Sequence, residues 1–131
     1  MTQELRGVSI LLVDDDFSTV CALERYFASN GASVLTAADG VEALEILRRV
    51  DVDFIVSDLA MPEMNGVAFI KEVRRLAGER ERPTPAIAYS ASSQLEQAAR
   101  DAGFDTVLAK PLDPLVLLQE IRRLVVQRRG S

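Results

Sequence analysis

Four times in this chain a short apolar run ends abruptly in a polar residue. Val8-Ser9-Ile10-Leu11-Leu12-Val13 runs into Asp14-Asp15-Asp16, and Phe54-Ile55-Val56-Ser57 runs into Asp58. Ala86-Ile87-Ala88-Tyr89 runs into Ser90, and Val107-Leu108-Ala109 delivers Lys110-Pro111. Runs of this length suit strands, and those without alternation suit strands covered on both faces. A carboxylate at the mouth of a buried strand is poorly suited to packing. It is well suited to chemistry at the carboxyl edge of a parallel sheet, where open α/β folds place their sites. Asp58 is the sharpest case, because Leu59-Ala60-Met61-Pro62-Glu63-Met64-Asn65-Gly66 follows it as a Pro- and Gly-marked loop.

Between these runs the apolar spacing becomes helical. Ser18–Asn30 carries Val20, Leu23 and Phe27 at helical intervals, and Asn30-Gly31 supplies a stop. Asp39-Gly40 leads into a helix over Val41–Val50, with Ala43, Ile46, Leu47 and Val50 on its inward face. Asn65-Gly66 opens a helix to Ala77 with Phe69, Ile70, Val73 and Leu76 inward. Ser93–Ala102 is a weakly amphipathic helix closed by Gly103. A final helix over Pro114–Gln127 has Leu115, Leu118, Ile121, Leu124 and Val125 as its stripe. The predicted strands are Val8–Asp14, Ser33–Ala38, Asp53–Asp58, Ala86–Ser90 and Thr106–Ala109. Gly78–Pro85 reads as a charged loop through Glu79, Arg80, Glu81 and Arg82, with Pro83 and Pro85 opposing regular structure. Five strands alternating with five helices predict an α/β fold, a parallel sheet with helices on both faces. Right-handed crossovers then bring the strand ends to one edge.

Composition narrows the function. At 131 residues and 48% hydrophobic content the chain suits one domain with a real core and argues against disorder. A net charge of -5 makes a nucleic-acid surface an unsuitable primary role, although Arg122, Arg123, Arg128 and Arg129 form a small basic group. The single cysteine, Cys21, cannot form an internal disulfide, which fits a reducing cytoplasm. Absence of histidine removes His-based triads, His-ligated zinc and any phosphohistidine on this chain. No signal core follows Met1, and no stretch is long and apolar enough to span a bilayer, so a soluble protein without membrane insertion is expected.

Taken singly, the strand-end residues have ordinary explanations. Asp is a preferred helix cap, and Asp16 suits that role for the first helix. Ser90 could be a turn residue and Lys110 a solvated charge. Together they form a chemical set. Asp14, Asp15 and Asp58 at one rim repel one another unless a cation intervenes. Hard oxygen ligands with little cage suit Mg²⁺, which accepts one or two carboxylates plus phosphate oxygens. Lysine adds a point charge and serine a neutral donor. Acid nucleophile, Mg²⁺, amine and hydroxyl suit formation of an aspartyl phosphate.

With these residues in order, the sequence resembles the receiver domain of two-component response regulators. The matching motifs are Val13-Asp14-Asp15, Ser57-Asp58-Leu59-Ala60-Met61-Pro62-Glu63-Met64-Asn65-Gly66, Tyr89-Ser90-Ala91 and Ala109-Lys110-Pro111. They cover nearly the whole chain, with a core over Val8–Val126. The resemblance implies a single (βα)5 receiver domain over 1-131, a doubly wound, flavodoxin-like parallel sheet with strand order 2-1-3-4-5. It implies that Asp58 is the phosphoacceptor. Asp15 would be the main direct Mg²⁺ ligand, and Asp14 would act largely through metal-bound water. The backbone carbonyl of Ala60 would complete the protein ligands, with Mn²⁺ a possible substitute ion. Ser90 would be the switch hydroxyl, Lys110 would pair with the phosphoryl group, and the Lys110-Pro111 bond is expected to be cis. The implied partners are a histidine kinase or phosphotransfer protein and an unknown output protein. The phosphoryl group would switch the surface of the last two helices and the fifth strand. The chain would be cytoplasmic, a monomer or weak homodimer.

Two departures from the family pattern stand out. Val107 occupies the position, three before the lysine, that usually carries Tyr or Phe, so the usual aromatic swing cannot occur there. Tyr89 and Phe104 are near in sequence, and neither is assigned as a replacement. Ala60, two after Asp58, and Ser92, two after Ser90, offer no carboxylate or amide to orient an attacking water, so slow loss of the phosphoryl group is expected.

Other readings are weaker. A receiver-like interaction or oligomerisation module acting without phosphorylation draws on Val107, against the intact acids and Lys110. An aspartate-nucleophile phosphatase would want an acid where Ala60 stands. A dinucleotide binder would want a Gly-rich first turn in place of Asp14-Asp15-Asp16-Phe17-Ser18. No output segment follows in this chain, so a stand-alone receiver, the N-terminal part of a longer regulator and a hybrid-kinase segment all remain open. Gln119, Glu120 and Arg123 of the final helix are interface candidates whose ordinary reading is a solvated face.

Overall fold

The apolar runs do form the predicted strands. The computed structural model describes residues 4–61, 63–78 and 83–130, with side chains to Val126. Five strands, β1 (Ser9–Val13), β2 (Ser33–Ala37), β3 (Phe54–Asp58), β4 (Ala86–Ser90) and β5 (Thr106–Ala109), pair in parallel in the order β2-β1-β3-β4-β5. Five helices alternate with them: α1 (Phe17–Ser29), α2 (Gly40–Arg49), α3 (Gly66–Ala77), α4 (Glu96–Ala102) and α5 (Pro114–Gly130). This is the flavodoxin-like order that the resemblance implies.

Alternation along each strand divides the core into two layers. Leu11, Val13, Ile55 and Ala88 face α2, α3 and α4, where Leu44, Phe69, Ile70 and Ala99 meet them. Ile10, Leu12, Val56, Ile87 and Tyr89 face α1 and α5, against Leu23, Phe27, Leu117 and Ile121. Every residue of β3 and β4 is buried, as their near-continuous apolar runs require, whereas the edge strand β2 alternates.

Side-chain caps set the helix starts. Asp16, Asp39 and Asn65 accept the amide hydrogens of Thr19, Glu42 and Ala68 at 3.2, 2.9 and 2.9 Å. Four details of the predicted helices change, the first being Leu76 of α3, expected inward but 43% exposed at the last turn of its helix. The Ser93–Ala102 helix divides into a 3₁₀ turn, Ser93–Leu95, followed by α4. Its entry lacks a side-chain cap, and the Ser92 amide is instead taken up by the Ser90 hydroxyl at 3.0 Å. Val50 leaves the inward face because α2 ends at Arg49 and Val50 adopts extended backbone, while Leu44 is buried instead. In α5, Leu115 is 55% exposed and Leu117 takes the inward place beside Leu118, Ile121 and Leu124. At 3.6 residues per turn, Leu115 falls well off the face those four define. The Glu79–Arg82 loop segment and Arg128–Arg129 side chains of the basic group lie outside the described residues.

The loop after β3 folds back tightly on itself. The Gly66 amide donates to the Leu59 carbonyl at 2.9 Å. A Cβ at Gly66 would meet the Asp58 carbonyl oxygen at 2.6 Å and the Leu59 Cα at 2.8 Å, both backbone atoms. Gly66→Ala is therefore expected to cost about 1–3 kcal/mol, the range for forced overpacking. Urea unfolding should show a lower midpoint; an unchanged midpoint would mean that the loop has room to give.

Candidate functional site: an acidic cluster at the sheet edge

Parallel register brings the chemistry-bearing residues to one edge. Val13 pairs with Ser57, Asp58 with Tyr89 and Ser90 with Ala109, so Asp14, Asp58, Ser90 and Lys110 leave their strands together. The Asp14 amide still continues the sheet, donating to Ala37 at 3.0 Å, and the Lys110 amide donates to the Ser90 carbonyl at 3.0 Å. The Lys110-Pro111 bond is cis.

One carboxylate oxygen from each of Asp14, Asp15 and Asp58 lies within 4.8 Å of the others. Asp14 and Asp58 are buried, and Asp15 is exposed. Asp14 Oδ1 accepts the Asp16 amide at 2.8 Å, and its Oδ2 accepts the Tyr89 hydroxyl at 2.6 Å. Burial raises the Asp14 pKa above the ordinary carboxylate value. The bonds from Tyr89 and Asp16 oppose that rise, and the nearby Asp58 adds to it. Burial, and then donation to Asp14, push the Tyr89 hydroxyl strongly upward, so it stays a protonated donor.

Asp58 is held by one oxygen. Its Oδ1 accepts the Leu59 amide at 2.7 Å, with the Ala60 amide at 3.4 Å, and faces Lys110 Nζ at 3.4 Å. Its Oδ2 accepts no hydrogen bond among the described residues. Such an arrangement fixes the carboxylate plane and leaves an oxygen for reaction or for a metal ion.

Ser90 reaches the same edge, but its hydroxyl turns into its own loop, accepting from the Ser92 amide at 3.0 Å and lying 3.3 Å from the Ser92 carbonyl. Ala60 is exposed beside Asp58. Val107 is half-buried and packs against the layer containing Ala88 and Ala99.

Sequence reasoning missed the part played by Tyr89. The available signal was a phenol in an otherwise aliphatic buried run, because a buried tyrosine hydroxyl usually finds a partner. Here that partner is Asp14.

The donor set fits a hard divalent cation. Three carboxylate oxygens gathered this closely form an oxygen-only donor set with open positions, which suits Mg²⁺. Without an ion, the single ammonium of Lys110 stands against three acids.

Comparison with known proteins agrees with this geometry. Residues 10–122 match the model of the family described as the response regulator receiver domain. The chain is 37% identical over 123 residues to the Regulator of RpoS of Escherichia coli, covering 92% of this chain and 35% of that protein. It thus spans about a third of the length of that curated relative. Among solved structures, the chemotaxis response regulator CheY4 of Vibrio cholerae is 32% identical, with a TM-score of 0.81 over 89% of this chain and 98% of that one. The receiver domain of the sensor histidine kinase PA1611 of Pseudomonas aeruginosa PAO1 is 31% identical, with a TM-score of 0.77 over 95% of this chain and 99% of that one. That structure holds a magnesium ion in its active site cleft. Sheet order, acid cluster, facing lysine and family match coincide over the same residues, and the chain belongs to the response regulator receiver domains.

Proposed function

We propose that this receiver domain accepts a phosphoryl group on Asp58 from the phosphohistidine of a histidine kinase or phosphotransfer protein. The observation that carries this reading is Lys110 Nζ at 3.4 Å from Asp58 Oδ1, beside the clustered acids. Asp58 Oδ2 attacks phosphorus in line. The O–P bond forms, the donor's N–P bond breaks, and the imidazole leaves with the bonding pair. Lys110 neutralises one phosphoryl oxygen. Ser90 leaves its contacts with Ser92 and donates to another.

Asp15, Asp58 and the Ala60 carbonyl would hold Mg²⁺ directly, with Asp14 acting through its hydration water. The ion supplies charge neutralisation for the phosphoryl oxygens. The Asp58 phosphate carries about -1.5 to -2 charge, enough to draw the Ser90 hydroxyl toward it. That movement biases the loop after β4 and so the α4-β5-α5 surface, where an output protein would dock. Among the described residues no helix is long and apolar enough to cross a membrane.

The test is labelling of the purified chain by a small phosphodonor, with and without a chelator. A Mg²⁺-dependent, base-labile phosphoryl group is expected. Saturating Mg²⁺ should also raise the thermal midpoint, since binding at about 100 times Kd stabilises by about 2.7 kcal/mol. No labelling at saturating donor and Mg²⁺ would overturn the reading.

A further inference from the structure

Tyr89 touches both halves of the site. It is wholly buried in β4, directly before Ser90. Its hydroxyl donates to Asp14 Oδ2 at 2.6 Å, and Lys110 Nζ stands 5.4 Å from the centre of its ring. The same Nζ lies 3.4 Å from Asp58 Oδ1. One side chain therefore contacts an acid from the end of β1 and the amine that follows β5.

Packing alone does not call for a phenol here. Ile87, two residues earlier on the same face of β4, fills the same core layer with aliphatic surface. Burying a hydroxyl is unfavourable unless it is bonded. The partner used is a carboxylate of the acidic cluster rather than a main-chain carbonyl. With Asp16 on Oδ1 and Tyr89 on Oδ2, rotation of the Asp14 carboxylate is blocked from both sides. Its remaining lone pairs are thereby aimed. Tyr89 stands behind Asp14, which itself would act on the ion through hydration water, much as outer partners orient metal ligands.

We propose that Tyr89 is a positioning residue for the divalent cation: its hydroxyl orients the Asp14 carboxylate, while its ring gives the Lys110 ammonium a face to rest on. This deepens the phosphoacceptor reading and rests on it. The hydroxyl and the ring act on different quantities. Loss of the hydroxyl weakens cation binding. Retention of the ring keeps Lys110 seated, so transfer at saturating cation is preserved.

The experiment compares the unaltered chain with Tyr89→Phe by Mg²⁺ titration calorimetry and by phosphodonor labelling across Mg²⁺ concentrations. Tyr89→Phe should raise the Mg²⁺ Kd and the half-saturating Mg²⁺ for labelling by up to about 10-fold, the lower end for loss of a partner behind a direct ligand. The labelling rate at saturating Mg²⁺ should match the unaltered chain. An unchanged Kd, or a rate loss that saturating Mg²⁺ does not restore, overturns the inference while leaving Asp58 as acceptor. If the unaltered chain binds no Mg²⁺, both readings fall. A second measurement does not depend on that variant folding. The chain has two tyrosines and no tryptophan, so Tyr26→Phe leaves Tyr89 as the sole tyrosine signal. Its near-ultraviolet circular dichroism band should shift during Mg²⁺ titration with the calorimetric Kd, and a band that Mg²⁺ leaves unmoved overturns the inference.

Discussion

Asp58→Asn is expected to abolish phosphoryl acceptance while making the metal-free chain more stable. The amide oxygen can keep the bonds from the Leu59 and Ala60 amides that now reach Oδ1. The amide nitrogen then takes the place of Oδ2, the oxygen proposed to attack phosphorus. Nucleophilicity is lost at that atom without a change of shape. One of three clustered negative charges also disappears, and a donor is turned toward the remaining acids. Relief of such functional crowding commonly yields about 0.5–2 kcal/mol. Phosphodonor labelling and urea unfolding on the same protein check the two halves. Persistent labelling of the Asn variant would move the acceptor elsewhere.

Lys110→Ala should have the next largest effect, and on rate rather than on cation binding. Nζ faces Asp58 with no other ammonium or guanidinium paired to that carboxylate among the described residues. Removing one group that stabilises charge developing in a transition state typically costs about 10²–10³ in rate. Mg²⁺ should bind the variant more tightly, because a competing positive charge has left the acidic cluster. Lys110→Arg should not restore the rate. A planar guanidinium does not replace a compact ammonium at a site built around a point charge. Single-turnover labelling at saturating Mg²⁺ reads the rate, and calorimetry reads the affinity. A variant that labels normally would reduce Lys110 to a surface ion pair.

These two residues were legible from sequence because strand-end position depends on topology more than on detail. An apolar run that stops at an acid or an amine stops at the same sheet edge once the crossovers are right-handed. Asp14, Asp15, Asp58 and Lys110 needed only that. The expected helix faces depend on phase and length, and there the structure differs. Leu115 fits the apolar spacing of α5, yet Leu117 is the buried residue. Val50 fits the apolar spacing of α2, but that helix ends one residue earlier.

The direction of polar side chains was harder still. Nothing in the run Ala86–Ser90 says that the Ser90 hydroxyl bonds to Ser92, or that the Tyr89 hydroxyl crosses the sheet to Asp14. That second contact depends on β4 lying on the far side of β3 from β1, a neighbour relation absent from local sequence. Val107 packs against the α2, α3 and α4 layer, as a β-branched residue in a strand does. The charged segment Glu79–Arg82 lies outside the described residues.

The most direct test is a crystal structure of the chain with Mg²⁺ and beryllofluoride. The predicted result has beryllium bonded to Asp58 and one Mg²⁺ among Asp15, Asp58 and the Ala60 carbonyl. Lys110 Nζ and the Ser90 hydroxyl should each contact a fluorine, with the Ser90–Ser92 bond broken. Beryllofluoride bound away from Asp58, or Mg²⁺ seated outside the three acids, would contradict a shared site for the ion and the phosphoryl group.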